Sequence, residues 1–286
     1  MSLSVIPGGA PRRPIVRYHG GKWMLSKWII SHFPKHHTYV EPYGGGGSVL
    51  LRKARSYAEV YNDLDDEIVN VFTMARERGE DLRRALELTP FARTEFEASY
   101  QPTSDPLEQA RRTILRGFQG FGSAAACGEV SGFRASSSRS GTTPAHDWRN
   151  YPDAFVAIID RLRGVVIENR DALACMTHHD GPRTLHYVDP PYVHATRSSK
   201  VRHTSTRKSY KFELSDDQHR ELATFLCGLS GMVVISGYPS PLYDELFEGW
   251  HRIERGALAD GARPRTEVLW LNAAAVDGAR QKRLIA

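Results

Sequence analysis

The chain has 286 residues, 41% hydrophobic and 25% charged, enough to bury one large core or one core with a smaller inserted subdomain. No stretch approaches the roughly 18 uninterrupted apolar residues of a membrane span, and Met1 to Arg17, with Pro7, Pro11 and Pro14, lacks a signal-peptide apolar region, so a cytoplasmic protein without membrane contact is expected. Cys127, Cys175 and Cys227 form no CxxC pair, which points away from a disulfide scaffold and structural zinc, while a net charge of +5 suits a polyanionic partner.

After the Pro-rich lead, Arg17-Tyr18-His19-Gly20-Gly21-Lys22 precedes a helical pattern over Trp23 to Phe33, which Pro34 ends. Paired glycines ahead of a lysine let the backbone approach a polar or anionic ligand, although the same residues can form an ordinary turn. Thr38 to Ser48, with Glu41-Pro42-Tyr43-Gly44-Gly45-Gly46-Gly47-Ser48 at its centre, reads as strand, glycine loop and helix start, the first βα turn of a Rossmann-like sheet. Its spacing is neither GxGxxG nor a P-loop, which disfavours a dinucleotide or triphosphate. A second strand, Ala58 to Tyr61, runs into Asn62-Asp63-Leu64-Asp65-Asp66. Asp63 lies 22 positions after Glu41, near the offset at which an acid accepts hydrogen bonds from ribose hydroxyls. These aspartates also suit the cap of a helix from Glu67 to Arg78.

From Glu80 to about Ala172 the sheet rhythm breaks. Helical patterns over Asp81 to Leu88, Pro106 to Phe118 and Pro152 to Leu162 flank Gly117 to Asn150, a loop rich in Gly, Ser, Thr and Arg. There Arg134, Arg139 and Arg149 interleave with Phe118, Phe121, Phe133 and Trp148, a composition that suits phosphate contact combined with base contact or stacking; scattered surface arginines are the plainer reading. A further strand, Val165 to Ile167, leads to Asp171.

The apolar run Leu185 to Val188 is a short buried strand, stopped at once by Asp189-Pro190-Pro191-Tyr192. In isolation the tetrapeptide can be a Pro-Pro turn. At the carboxyl edge of a parallel sheet it puts a fixed carboxylate and an aromatic ring where ligands bind. Val193 to Phe212 carries Arg197, Lys200, Arg202, Arg207, Lys208 and Lys211 with His194 and His203 and no acid, which fits a loop gripping a phosphate backbone. Beyond it come an amphipathic helix over Leu214 to Leu229 with Ser215 as N-cap, a strand over Met232 to Ser236, a helix over Pro241 to Phe247, and closing strands at His251 to Arg255 and Glu267 to Leu271 around the basic turn Gly261 to Arg265. His36-His37 and His178-His179 lack partners at ligand spacing, so no metal is expected.

Tyr18-His19-Gly20-Gly21-Lys22, Glu41 to Ser48, Asn62-Asp63 and Asp189-Pro190-Pro191-Tyr192, in that order, resemble the Dam-like, D12-class (alpha-group) family of S-adenosylmethionine-dependent DNA adenine-N6 methyltransferases, over roughly residues 15 to 275. The resemblance implies an α/β fold: a Rossmann-like methyltransferase sheet flanked by helices, with an inserted, mainly helical and loop DNA-recognition subdomain. The expected parts are residues 1–80 and 165–286 as the catalytic domain and 81–164 as the recognition insertion. It implies cofactor binding by Tyr18, Lys22, Glu41, Pro42, Tyr43, Gly44, Gly46, Ser48, Asp63, Asp171 and Asp189, with Asp171 near the adenine ring. Catalysis falls to Asp189, the carbonyl of Pro190 and Tyr192. They accept the hydrogens of, and stack on, an adenine flipped from the helix. The expected DNA contacts are Arg116, Arg134, Arg139, Arg197, Lys200, Arg202, Arg207 and Lys208, on double-stranded DNA, by a monomer. Residues 117–124 do not reproduce the segment of GATC-reading members, so that target is not transferred. The four glycines are expected to make the loop mobile. N4-cytosine methylation is the nearest alternative, disfavoured by Asp at position 189; RNA as substrate, a non-catalytic DNA-binding protein and a nicotinamide-dependent dehydrogenase are others.

Overall fold

The computed structural model describes residues 9–122, 125–126, 128, 130–136, 141–193, 212–259 and 263–285. They include seven strands: β1 (Thr38–Glu41), β2 (Ala58–Asn62), β3 (Val165–Glu168), β4 (Thr184–Val188), β5 (Met232–Gly237), β6 (His251–Ala259) and β7 (Arg263–Leu271). The chain divides into two compact units, a helical one made of Met1–Trp23, Gly45–Arg52 and Asp65–Ile167 and a sheet unit made of Met24–Gly44, Lys53–Leu64 and Glu168–Ala286. The division passes through β3.

The strands form one mixed sheet in the order β3-β2-β1-β4-β5-β7-β6. β1 pairs in parallel with β2 and β4, and β4 with β5, whereas β7 is antiparallel to both β5 and β6. The registers Glu41↔Tyr61 and Val188↔Ile235 bring the carboxyl ends of β1, β2, β4 and β5 to one edge. Sequence order reverses between β1 and β4, the position at which open α/β sheets bind ligands. Every residue of β4 and β5 is buried, as expected of parallel strands covered on both faces. Val188, Val233, Ile235, Val268 and Trp270 pack with Leu222 and Leu226 of α10 (Asp216–Gly228) and with Tyr243 of α11 (Pro241–Leu246). Ser215 and Gln218 close a capping box at the start of α10, so its first turn is satisfied from within.

The opposite edge of the sheet unit is fastened by ions. Asp180 accepts hydrogen bonds from Ser230 N (2.8 Å), Ser230 Oγ (2.7 Å) and Gly231 N (2.9 Å), and its Oδ1 is 3.2 Å from Nε2 of the fully buried His186. Desolvation holds the His186 imidazole below its ordinary value against the attraction of Asp180. Burial opposes ionisation of Asp180, but these donors bring its carboxyl below the usual range. Each group therefore takes up its proton more readily in the unfolded chain, so stability rises with pH through the window between folded and unfolded values. Denaturant midpoints are expected to fall as pH drops below about 6.5, the ordinary imidazole value. His186→Phe should flatten part of that slope; His179, also lowered by burial, keeps the rest. An unchanged slope in His186→Phe would contradict the assignment.

The helical unit holds α2 (Ser48–Arg52), α3 (Asp66–Glu77), α4 (Gly79–Leu88), α5 (Arg93–Ala98), α6 (Pro106–Gln119), α7 (Pro144–Arg149) and α8 (Tyr151–Arg161). It contains residues 81–164, the expected recognition insertion, together with α3, which packs on α6 and α8. The irregular stretch is also shorter than 117–150: α6 runs on to Gln119, Gly120 bridges Phe133, and α7 starts at Pro144 under a Thr143 cap. Phe118 and Trp148 are core residues rather than base-contacting ones. Phe118 lies 4.2 Å from the Tyr151 ring, Trp148 stacks on Tyr151 at 14°, and Trp148 Nε1 donates to Thr89 O at 2.8 Å. Phe133 packs on Phe91 and Phe96, and Phe121, 76% exposed, alone among the four faces solvent.

Candidate active site

The motif begins where β4 ends. Pro190 and Pro191 cannot donate to a sheet ladder, so the strand stops at Val188 and Asp189 stands half-buried at its tip. Ser236, at the matching end of β5 and fully buried, donates Oγ to Asp189 Oδ1 at 2.8 Å, and the Tyr187 hydroxyl lies 3.0 Å from the same Oγ. Burial, and then the nearby Asp189 carboxylate, push the Tyr187 phenol well above its ordinary value. Tyr192 is 8% exposed; its hydroxyl donates to Glu267 Oε1 at 2.7 Å and its ring centroid lies 4.4 Å from that of Tyr238. Ser236, Tyr238 and Glu267 lie outside the sequence motifs. Ser236-Gly237-Tyr238-Pro239 at the end of a predicted strand was the available signal.

Asn62 ties the neighbouring strand ends together. Its Nδ2 donates to Pro42 O (2.9 Å) and Arg170 O (3.0 Å), and its Oδ1 accepts from Arg170 N (3.0 Å). Gly44 N donates to Asn62 O at 2.8 Å, and a Cβ on Gly44 would stand 2.3 Å from the Tyr61 ring. The glycine at 44 thus serves close packing against β2. Glu41 is buried and accepts the Tyr39 hydroxyl at 2.8 Å, while Asp63 is half-buried one residue beyond the clamp. Asp171 caps α9 (Ala172–His179) by accepting from Ala174 N at 3.0 Å. The Tyr43 phenol is pushed up by burial, then by the charges of Asp171 and Asp63.

Within the helical unit, Tyr18, the Gly20-Gly21-Lys22 turn and the second half of the glycine loop come together. Gly45 and Gly47 have φ of 46° and 58°, and Cβ atoms at Gly45 and Gly46 would stand 3.0 and 3.2 Å from the Tyr18 side chain. A loop of this shape, against an aromatic ring, requires glycine for conformation and space together, so its glycines are fixed by structure as well as flexible by nature. The Tyr18 hydroxyl donates to Asp65 Oδ2 at 3.4 Å, and Asp65 Oδ1 caps α3 through Glu67 N. Lys22 is buried with Nζ 2.9 Å from Gly20 O, and buried Ser48 Oγ is 3.7 Å from where a Gly21 Cβ would be.

The residues matched by the family described as D12 class N6 adenine-specific DNA methyltransferase run from 18 to 259, and so take in every motif above. The chain belongs to this family. It is therefore a DNA adenine methyltransferase; members move a methyl group from S-adenosylmethionine to N6 of an adenine flipped out of DNA. It is also 25% identical, over 291 residues covering 91% of this chain and 95% of the other, to Type II methyltransferase M1.LlaDCHI of Lactococcus lactis subsp. cremoris. Among the described residues no helix is long and apolar enough to cross a membrane.

For a DNA methyltransferase the basic residues matter next. Arg116, expected on the DNA, is instead buried at 7% exposure: it donates to Ser99 O at 2.7 Å and pairs with Glu67 at 2.5 Å, so its charge is spent within the helical unit. Arg134 donates to Phe118 O at 3.2 Å. Arg139, His194, Arg197, Lys200, Arg202, His203, Arg207, Lys208 and Lys211 lie outside the described residues.

Proposed function

We propose that this methyltransferase binds S-adenosylmethionine, with Glu41 to Gly44, Asp63, Asp171 and Asp189 as the cofactor-binding residues of the sheet unit. The donor set fits such a ligand: carboxylates for ribose hydroxyls and an ammonium, and glycine backbone that admits close approach, without a phosphate-binding lysine pattern. When bound, the cofactor supplies an electrophilic methyl group on a sulfonium.

The chain's own residues prepare the amine. The N6 lone pair of adenine is delocalised into the ring. Asp189 and the carbonyl of Pro190 accept the two N6 hydrogens, draw the nitrogen toward tetrahedral geometry and aim its lone pair, while Tyr192 meets the flipped ring. The contribution is orientation and preorganised electrostatics. The observation that carries this reading is the Ser236–Asp189 hydrogen bond of 2.8 Å, which fixes the carboxylate at the end of β4. Double-stranded DNA is the proposed substrate, held by the basic stretch after Tyr192 together with Arg134, Arg139 and Arg149, with part of residues 117–150 reading the sequence.

Asp63→Ala should weaken cofactor binding about 10- to 100-fold, the loss of one or two charge-assisted hydrogen bonds at roughly 1.5–3 kcal/mol. Titration calorimetry with S-adenosylmethionine measures it, and an unchanged dissociation constant would remove Asp63 from the site. Methyl incorporation into matched single- and double-stranded DNA tests the substrate form.

A further inference from the structure

We infer that Glu267 is a positioning residue for methyl transfer, acting through the hydroxyl of Tyr192. Glu267 is 2% exposed on β7, and its Oε1 takes the Tyr192 proton donor at 2.7 Å. A buried carboxylate is costly to desolvate, and buried polar pairs can often be replaced by apolar residues of similar size without loss of stability. What the pair provides is a fixed ring direction. Tyr192 follows two prolines on a segment outside regular structure, where its side chain would otherwise have freedom about two torsions.

The same strand braces the ring from a second side. Arg265 and Glu267 are two apart on β7 and so project from one face. The Arg265 guanidinium lies 5.6 Å from the Tyr238 ring centroid, and Tyr238 packs on Tyr192 at 4.4 Å. The register Gly237↔Val268 sets this end of β7 beside the carboxyl end of β5, where Ser236 holds Asp189. Carboxylate and ring of the motif are thus each fixed by a residue from the next strands of the sheet, Asp189 by β5 and Tyr192 by β7.

The inference rests on Tyr192 meeting the flipped base as proposed above. Glu267→Ala and Tyr192→Phe should each lower kcat about 10- to 100-fold, the size of effect expected from an ångström-scale misplacement, with KM for S-adenosylmethionine within about 3-fold of the parent. Glu267→Gln, which keeps an acceptor oxygen, should recover kcat to within about 3-fold, and the double variant Tyr192→Phe/Glu267→Ala should be no slower than about 2-fold below the worse single one. If Glu267→Ala does not fold, Tyr192→Phe decides alone, since it removes the same bond without touching β7. Parental kcat in Tyr192→Phe, parental kcat in a folded Glu267→Ala, or effects that multiply in the double variant would overturn the inference. Tyr192→Ala separates the two layers. Parental activity there would sink the role of Tyr192 itself, whereas an impaired Tyr192→Ala beside a parental Tyr192→Phe would sink only the brace.

Discussion

Asp189→Ala is expected to lower the rate of methyl transfer by about 10³-fold or more while the protein stays folded. Removing one preorganised electrostatic partner from an active site typically loses 10²- to 10³-fold, and in the proposed mechanism Asp189 also orients the amine, a positioning effect that adds to it. The structural cost is small: Asp189 is half-buried, and Ser236, its donor, retains the Tyr187 hydroxyl at 3.0 Å and the Val188 carbonyl at 3.5 Å. The unfolding free energy should therefore change by about 1 kcal/mol, the net worth of one hydrogen bond. Single-turnover transfer of labelled methyl, run beside a denaturant titration, checks both halves. A folded variant retaining a tenth of the parental rate would show that the carboxylate does not prepare the amine.

Lys53→Ala should give the largest loss of stability from a single change away from the site, about 3–5 kcal/mol. Lys53 and Glu59 form an ion pair of 2.6 Å with side chains only 3% and 4% exposed. The ammonium also donates to Ala54 O and Ser56 Oγ, each at 2.7 Å, and lies 4.5 Å from the Tyr39 ring centroid. Truncating the lysine removes a counter-charge from a buried carboxylate that also accepts from Ser56 N at 3.1 Å. Replacing both partners, as in Lys53→Met/Glu59→Leu, should recover most of the loss, because apolar groups of similar size carry no desolvation penalty. Chemical denaturation of the two variants is the test. A double variant as unstable as Lys53→Ala would show that packing, not the stranded charge, sets the cost.

The parts of the fold that were legible are those in which local chemistry leaves one option. The apolar run before Asp189, stopped by two prolines, had to be a short strand; the glycines after Glu41 had to be a turn; Ser215 announced the start of α10. Short helices were missed where apolar spacing is weak, as in α5, α7 and α9, and α1 spans only Ser26–Ser31 of the expected 23–33. Roles set by distant partners were not legible at all. Arg116 suits a DNA contact by sequence alone, but its partner Glu67 lies 49 positions away, and Phe118 and Trp148, which suit base contact by composition, are buried by residues distant in sequence. The hydrogen-bond partners of Asp189 and Tyr192 share this character: Ser236 and Glu267 lie 47 and 75 positions away in sequence.

The most direct test is to incubate the protein with plasmid DNA and S-adenosylmethionine labelled in the methyl group, digest the DNA and separate the nucleosides. All DNA-bound label should run with N6-methyladenosine of the deoxy series. Label in N4-methylcytosine, or none in DNA, would contradict the account.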